Sequence, residues 1–132
     1  MSQENVEIVC KALEAFNRSG IDGVLDYVDT SIEWLAPPEW PEDRRYKGPD
    51  GLRAAASGWT ENFDQFRLDL ETAIDAGDHV VALIHQRVRI KGSDNRMEHE
   101  VAWDVELRNG KITRVHAYFS WEEALQAVGL EG

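Results

Sequence analysis

The sequence has few of the residues on which several common classes of protein depend. Its 132 residues include one cysteine and four prolines, and 14 lysines and arginines against 25 aspartates and glutamates give a net charge of -11. Because this acidic balance opposes phosphate backbones and anionic lipids, we expect neither a nucleic-acid nor a membrane partner. No apolar run approaches the roughly 20 residues that span a bilayer. Residues 1–5 lack a basic leader region, so we expect a cytoplasmic protein.

Metal, nucleotide and serine-nucleophile motifs are also missing. The chain has no CxxC, HExxH, glycine-rich phosphate loop or GxSxG motif, and these patterns mark such sites. Cys10 lies among apolar residues of a predicted helix, so we expect a reduced, buried thiol rather than a nucleophile. We therefore expect no metal and no cofactor.

The length of the chain fits a single domain over residues 1–132. Its N-terminal part shows mainly helical periodicity. Ser2 and Gly20 are placed to begin and end a first helix, and Asp22 to cap a short second one that includes Val28. Gly48 and Pro49 begin a third helix. The apolar face of the first helix is Val6, Val9, Cys10, Leu13 and Phe16, and that of the third is Leu52, Ala55, Ala56, Trp59 and Phe63.

Alternating apolar and polar residues predict strands over 31–36, 66–74, 79–90 and both arms of 98–119. The last four form an antiparallel meander. On the strand 79–90, Gln86 shares the inner face with apolar residues, whereas Leu83, His85, Arg87 and Arg89 face outward. The proline-rich stretch 37–45 is expected to lie over the surface and form the rim of a cavity. Ser120 begins a capping box for a last short helix.

The turn Asn109-Gly110 allows two registers for the hairpin 98–119. A two-residue loop pairs Arg108 with Lys111 and places Arg114 beside Val105 on the buried face. A three-residue loop with a glycine bulge pairs Leu107 with Lys111, so that Trp103 meets Val115. Since the first register buries charge against apolar neighbours, the pattern favours the second.

Helices followed by a meander predict an α+β domain in which helices cover one face of the sheet. Residues 5–128 resemble the superfamily of nuclear transport factor 2, ketosteroid isomerase and SnoaL-type polyketide cyclases. The resemblance rests on short stretches: Ala15-Phe16-Asn17-Arg18, Ile32-Glu33-Trp34, Tyr46-Lys47-Gly48, Asp75-Ala76-Gly77-Asp78 and Arg108-Asn109-Gly110-Lys111-Ile112. It implies a cone-shaped, curved antiparallel sheet around an internal pocket, covered by the N-terminal helices and often found in a homodimer.

The resemblance does not extend to two known mechanisms of that superfamily. Where ketosteroid isomerases are expected to place a base, an oxyanion-binding acid and a tyrosine, this chain has Ala36, Trp103 and Leu13. Where limonene epoxide hydrolases place acids and an arginine, it has Val101, Trp103 and Ala117. Both mechanisms therefore lack their reacting groups here.

Few polar groups remain on the predicted inner face, chiefly His99, Gln86 and Thr113. His99 is the candidate catalytic residue because an imidazole can carry a proton near neutral pH; alternatively it is a strand-end histidine hydrogen-bonded to water or Glu98. Gln86 is either a ligand contact or a structural amide. The candidate ligand-binding residues are Trp34, Tyr46, Trp59, Gln86, Trp103 and Phe119, although core packing is the simpler explanation for each tryptophan taken singly.

Three functions fit these residues: a cofactor-free acid/base enzyme acting on a small apolar molecule, a non-catalytic module binding such a molecule, and a protein-interaction module. A cavity below about 100 Å³, small beside ligand sites of about 300–1,000 Å³, would favour the third. Leu83, Tyr118 and complementary charges on the outer face also predict a homodimer through that face.

Overall fold

The computed structural model describes residues 2–36, 45–61 and 63–129, without the side chains of residues 2 and 58–60. Helices and strands follow in the order α1 (Ser2–Ser19), α2 (Ile21–Val24), a 3-10 turn (Leu25–Tyr27), β1 (Val28–Leu35), β2 (Arg45–Lys47), α3 (Gly48–Thr60), β3 (Phe63–Asp75), β4 (His79–Ile90), β5 (Arg96–Arg108), β6 (Lys111–Tyr118) and α4 (Trp121–Ala127). The predicted loop 37–45 lies outside the described residues except for Arg45, which begins β2.

The six strands form one sheet in the order β2-β1-β6-β5-β4-β3. Strands β3 to β6 are the predicted antiparallel meander. The sheet is mixed rather than wholly antiparallel, because β1 runs parallel to β6. An α+β fold with helices against a curved, open sheet is confirmed, and its antiparallel description is corrected at this one pairing.

The predicted hairpin register is wrong, for a reason visible at Thr113. Asn109 and Gly110 both have positive φ, 54° and 78°, and form a two-residue turn that pairs Arg108 with Lys111. A bulge then leaves Thr113 unpaired, and its hydroxyl donates to the carbonyl of Glu106 at 3.2 Å. Beyond the bulge Val105 meets Val115 and Trp103 meets Ala117, so the shift keeps charge off the buried face.

The main core lies between the inner face of the sheet and helices α1 and α3. From α1 it takes Val9, Leu13 and Phe16, which are 1%, 3% and 5% exposed. Gly20 ends α1 as predicted, with φ 74° and its N–H donating to the carbonyl of Phe16 at 2.8 Å. A Cβ on Gly23 would lie 2.8 Å from the carbonyl oxygen of Ala15, so only glycine allows α2 to lie this close to α1.

Several helix boundaries differ from prediction. Helix α2 begins at Ile21 with Gly20 as its N-cap residue, so Asp22 is not a cap, and Val28 belongs to β1. Phe63 lies in β3 rather than on the face of α3.

A bulge within β3, between Leu70 and Thr72, reverses the faces on which the following residues of this strand lie. As a result Ala73 packs in the main core, whereas Ile74 packs on the outer side.

The outer face of the sheet is partly covered by α4. Ser120 caps this helix by accepting a hydrogen bond from the N–H of Glu123 at 3.3 Å, as predicted. Together with Ala124, the apolar residues below α4 form a second buried cluster, Val81, Leu83, Ala102 and Tyr118. Leu83 and Tyr118 are only 8% and 7% exposed. They are therefore not available in this fold as part of a flat, exposed dimer surface.

Candidate functional site

Two candidate residues meet on the inner face as a hydrogen-bonded pair. Gln86 on β4 and His99 on β5 are direct cross-strand partners, and Nε2 of the amide lies 2.9 Å from Nε2 of the imidazole. Both side chains are partly exposed. With its NH₂ toward the ring the amide donates to an unprotonated ring nitrogen, whereas an amide turned by 180° would accept from a ring N–H. Glu98, the alternative partner of His99, instead contacts Arg87 and His85 at 3.4 Å.

The surroundings of this pair are apolar. Leu68 on β3 stands opposite Gln86 on its other side, and Ile84 and Val88, its inner-face neighbours on β4, are 0% and 3% exposed. Toward the turn between β4 and β5, the inner face carries two large apolar side chains that remain accessible, Ile90 at 36% and Met97 at 45%. The pair therefore joins a buried apolar region to an exposed one.

Trp34 and Trp103 close a different part of the inner face. Their rings meet edge to face, with centroids 5.1 Å apart and an interplanar angle of 90°. Tyr46 pairs with Trp34 across β1 and β2 and packs against the core. The cavity beside the two tryptophans has a volume of about 30 Å³ and is lined by apolar residues of α1, α3 and the sheet. This space suits about one water molecule and is too small for an organic ligand.

The remaining candidates are Phe119, Trp59 and Thr113. Phe119 lies just after β6 and is 44% exposed. The bulged register predicted from the sequence would pair it with His99, and the observed pairing of Ala102 with Tyr118 excludes this. The side chain of Trp59 lies outside the described residues. The hydroxyl of Thr113 donates to the carbonyl of Glu106 within the β6 bulge.

A second set of titratable side chains lies on the outer face. His79 Nδ1 and Asp104 Oδ1 are 2.8 Å apart. Burial alone would lower the pKa of His79, but the hydrogen bond and charge of Asp104, with Asp78 and Glu106, raise it above its ordinary value. His116 and Tyr118 stack with centroids 4.6 Å apart, and burial, Asp104 and Glu123 raise the pKa of the Tyr118 phenol.

Metal and thiol chemistry find little support in the described part of the chain. No group of three or more His, Cys, Asp or Glu side chains there could hold a metal ion. Cys10 is partly rather than fully buried. Burial and the charges of Glu14 and Glu7 raise the pKa of its thiol, so the thiolate needed for nucleophilic attack is disfavoured. None of the described helices is long and apolar enough to cross a membrane.

A family model described as the SnoaL-like domain matches residues 9–115. The chain belongs to this SnoaL-like family. No curated protein matches the chain. Among solved structures, TerC co-crystallised with polyporic acid is 19% identical with a TM-score of 0.77, covering 96% of this chain and 98% of the other.

Two further structures show the same fold. An NTF2-like protein from Burkholderia xenovorans is 24% identical with a TM-score of 0.71, covering 97% of this chain and 98% of that one. A hypothetical protein from Catenulispora acidiphila with a ketosteroid isomerase-like fold, in complex with trimethylamine, is 18% identical with a TM-score of 0.74, covering 95% and 94%. The predicted superfamily is thus confirmed, while these identities establish the fold alone.

One residue that sequence reasoning missed supports the site of this SnoaL-like domain. The side-chain amide of Asn17 on α1 donates to the carbonyl of Leu68 at 2.7 Å and accepts from its N–H at 2.9 Å. Leu68 in turn stands opposite Gln86. In the sequence Asn17 belongs to a stretch that carries the family resemblance, and its polar side chain beside the apolar face of α1 was the available signal.

Proposed function

We propose that this SnoaL-like domain binds a small apolar molecule on the inner face near the turn between β4 and β5, with Gln86 and His99 as its polar contacts. The observation that carries the proposal is the 2.9 Å contact between these two side chains on an otherwise apolar surface. Ligand sites commonly combine apolar walls with a few placed polar groups.

The accessible apolar side chains support this position. Met97 stands opposite Val88, two residues from His99 on the same face of β5, and Ile90 continues the inner face of β4. Exposure of 45% and 36% leaves both able to contact a ligand. Large apolar groups clustered at one exposed place commonly mark binding surfaces. Of the aromatic candidates, Trp34, Tyr46 and Trp103 pack in or against the main core, and Trp59 and Phe119 stay predictions as ligand contacts.

The relatives agree with a small organic ligand. TerC was co-crystallised with polyporic acid and the Catenulispora acidiphila protein was crystallised in complex with trimethylamine. A fold of this kind can therefore hold small organic molecules, and neither structure gives the identity of the ligand here.

The site can be tested by nuclear magnetic resonance titration of the ¹⁵N-labelled protein with 2-acetylnaphthalene as an apolar probe. We expect the largest amide shift changes at residues 86–90 and 97–101. Changes confined to α4 and the outer face, or none up to millimolar probe, would contradict the proposal. His99→Gln keeps a polar side chain at the strand end and should leave the free energy of unfolding nearly unchanged, so its effect on binding reports on the contact itself.

A catalytic version of this function assigns proton chemistry to His99. Its cofactor-free reaction would be a cyclisation, isomerisation or hydrolysis of a carbonyl compound, with the imidazole as acid or base. If turnover of any such compound is found, His99→Gln should lower the rate and flatten its pH profile. Full activity with an unchanged pH profile in this variant would leave only the non-catalytic binding function.

A protein-interaction module is the second candidate, and the small cavity favours it. The space beside Trp34 and Trp103 is about 30 Å³, below the roughly 100 Å³ at which we expected that function to gain support. If so, the titration above should give no specific shifts, whereas affinity capture followed by cross-linking should map a partner onto the sheet.

The homodimer remains a prediction. Its charged surface is present, since Arg87 and Glu98 pair across β4 and β5 at 3.4 Å, but α4 covers Leu83 and Tyr118. A dimer of this fold therefore needs an outer-face interface that includes α4. Sedimentation at tens of micromolar protein will decide, and a monomer throughout would remove the dimer from the proposal.

A further inference from the structure

The contact between Gln86 and His99 also determines where the imidazole carries its proton. In the structure Gln86 turns its NH₂ toward the ring, and a carboxamide NH₂ has no acceptor lone pair, so in this orientation of the amide the ring nitrogen 2.9 Å from it accepts. A neutral imidazole has one protonated and one unprotonated nitrogen. With Nε2 accepting from Gln86, the proton of neutral His99 is on Nδ1.

We propose that Gln86 is a positioning residue that fixes His99 as its Nδ1–H tautomer, so that the ring presents a neutral hydrogen-bond donor to the ligand. The site then selects an apolar molecule with a carbonyl or another neutral acceptor oxygen. This last step rests on the proposed function, whereas the tautomer is a property of the protein alone.

The fold holds Gln86 in place for this role. Its β4 neighbours Ile84 and Val88 are buried, and Leu68 beside it is fixed through two hydrogen bonds from Asn17. Within the described residues no group hydrogen-bonds to Nδ1 of His99, and the side chain is partly exposed. The Nδ1–H is therefore available to a ligand or to water.

The same geometry opposes the use of His99 as a base through Nε2. The lone pair of that nitrogen is already engaged by the amide, so proton abstraction there first requires the hydrogen bond to break. Protonation of Nε2 would set two donors against each other unless the amide turned its oxygen toward the ring. In the catalytic version of the function, His99 therefore polarises a substrate carbonyl by donation from Nδ1.

Long-range ¹H–¹⁵N spectra of the imidazole rings at pH 8 test the tautomer without any ligand. In the wild type we expect His99 to show a protonated Nδ1 and an unprotonated Nε2. In Gln86→Glu, whose carboxylate only accepts, the proton should move to Nε2. In Gln86→Leu, which lacks a partner, the ring should give the pattern of mixed tautomers.

His79 provides a control in the same spectra. Its Nδ1 faces the carboxylate of Asp104 at 2.8 Å, so its Nδ1–H tautomer should be the same in all three proteins. A protonated Nε2 on His99 in the wild type would overturn the inference, as would an unchanged His99 pattern in both Gln86 variants.

Two matched probes test whether the site selects a molecule that carries an acceptor oxygen. 2-Acetylnaphthalene carries the acceptor and 2-ethylnaphthalene does not, and loss of one hydrogen bond should weaken binding roughly three- to tenfold. Gln86→Leu should reduce this ratio toward one. Equal affinity for both probes in the wild type would overturn the selection and leave the proposed function standing. Binding of neither would overturn the proposed function together with the selection, while the spectra alone still decide the tautomer.

Discussion

Asn17 and Leu68 are joined by two hydrogen bonds that attach α1 to the edge of the sheet. Nδ2 of Asn17 donates to the Leu68 carbonyl at 2.7 Å, and Oδ1 accepts from the Leu68 N–H at 2.9 Å. Since β3 is the last strand of the sheet, the outward backbone groups of Leu68 have no strand beside them. The amide side chain takes the place of a neighbouring strand at this one residue, which also protects the edge from pairing with other chains.

Asn17→Ala should destabilise the protein strongly for one side chain. It leaves the N–H and carbonyl of Leu68, a residue only 1% exposed, without their partners, and each buried unpaired group costs about 1–3 kcal/mol. We expect a loss of roughly 2–4 kcal/mol in urea denaturation. Asn17→Asp keeps the acceptor for the Leu68 N–H but sets a carboxylate oxygen against the Leu68 carbonyl, so it should not restore the lost stability. A loss under about 0.5 kcal/mol for Asn17→Ala would contradict this account.

Trp103→Ala should remove a core ring rather than a surface contact. The indole packs edge to face on Trp34 at 5.1 Å and lines the cavity of about 30 Å³. Trp103 is partly buried against the core. Replacing a fully buried aromatic ring by alanine costs about 3–5 kcal/mol, so we expect a loss near the lower end of that range in thermal or urea denaturation. Trp103→Phe keeps most of the packing and should lose less than half as much. Equal, small losses for both variants would show that the ring is not part of the core.

The His79–Asp104 pair should make stability depend on pH in a definite direction. The pKa of His79 is raised above its ordinary value of 6.5, so the folded state binds the proton more tightly than the unfolded state. This contribution is complete below pH 6.5 and is lost as the pH rises through the raised pKa of the folded protein. Denaturation midpoints measured from about pH 3 to 8.5 should reveal it.

His79→Gln is the matched variant for that measurement. Its stability should lack the decline above pH 6.5 while keeping the acid-side decline caused by Asp29 and Glu33, whose pKa values are lowered by hydrogen bonds from Ser31 and Arg114 respectively. The carboxylate contributions are lost well below pH 6.5, where the His79 contribution is complete, so the two separate. Parallel profiles for wild type and His79→Gln would contradict the assignment to His79.

The sequence predicts which face of a strand a residue occupies, because that depends on local alternation. It does not predict contacts between residues that are far apart in the chain. Alternation on β4 and β5 predicted that Gln86 and His99 share the inner face, but not that they stand directly opposite and form a hydrogen bond. The Thr113 bulge was missed because Asn109-Gly110 suits a two-residue turn and a three-residue turn equally well. The two-residue turn alone would place Arg114 on the buried face, and the one unpaired residue, Thr113, shifts the strand so that Val115 faces the core instead. Asn17 was missed because its partner is 51 residues away.

The sequence contains a pattern that indicates a covered outer face, and the alternation assumed for the strand 79–90 obscured it. Residues 80–84 are all apolar and all buried, and an uninterrupted apolar run is typical of a strand covered on both sides. Leu83 lies on the outer face as predicted, but it is buried rather than exposed. The run of five, taken with the amphipathic segment after Ser120, predicts a helix packed on that face.

Trp121 should be the residue that keeps α4 on the sheet. Its indole Nε1–H donates to the carbonyls of Ile84 and Val101 at 3.2 and 3.0 Å, and its ring meets His85 edge to face at 5.0 Å. Trp121→Phe keeps an aromatic ring and loses both hydrogen bonds. We expect a loss of about 1–2 kcal/mol and faster amide hydrogen exchange in α4, with exchange in α1 unchanged.

The consequence for the outer face follows from what lies below α4. When the helix detaches, Leu83 and Tyr118 become exposed, so Trp121→Ala should bind an apolar dye and self-associate at concentrations where the wild type does neither. Gln126→Ala, on the exposed side of the same helix, is the control and should behave as wild type. If α4 exchanges at the same rate in Trp121→Phe, Gln126→Ala and the wild type, the two indole hydrogen bonds do not hold the helix, and its packing on Leu83 and Tyr118 must do so instead.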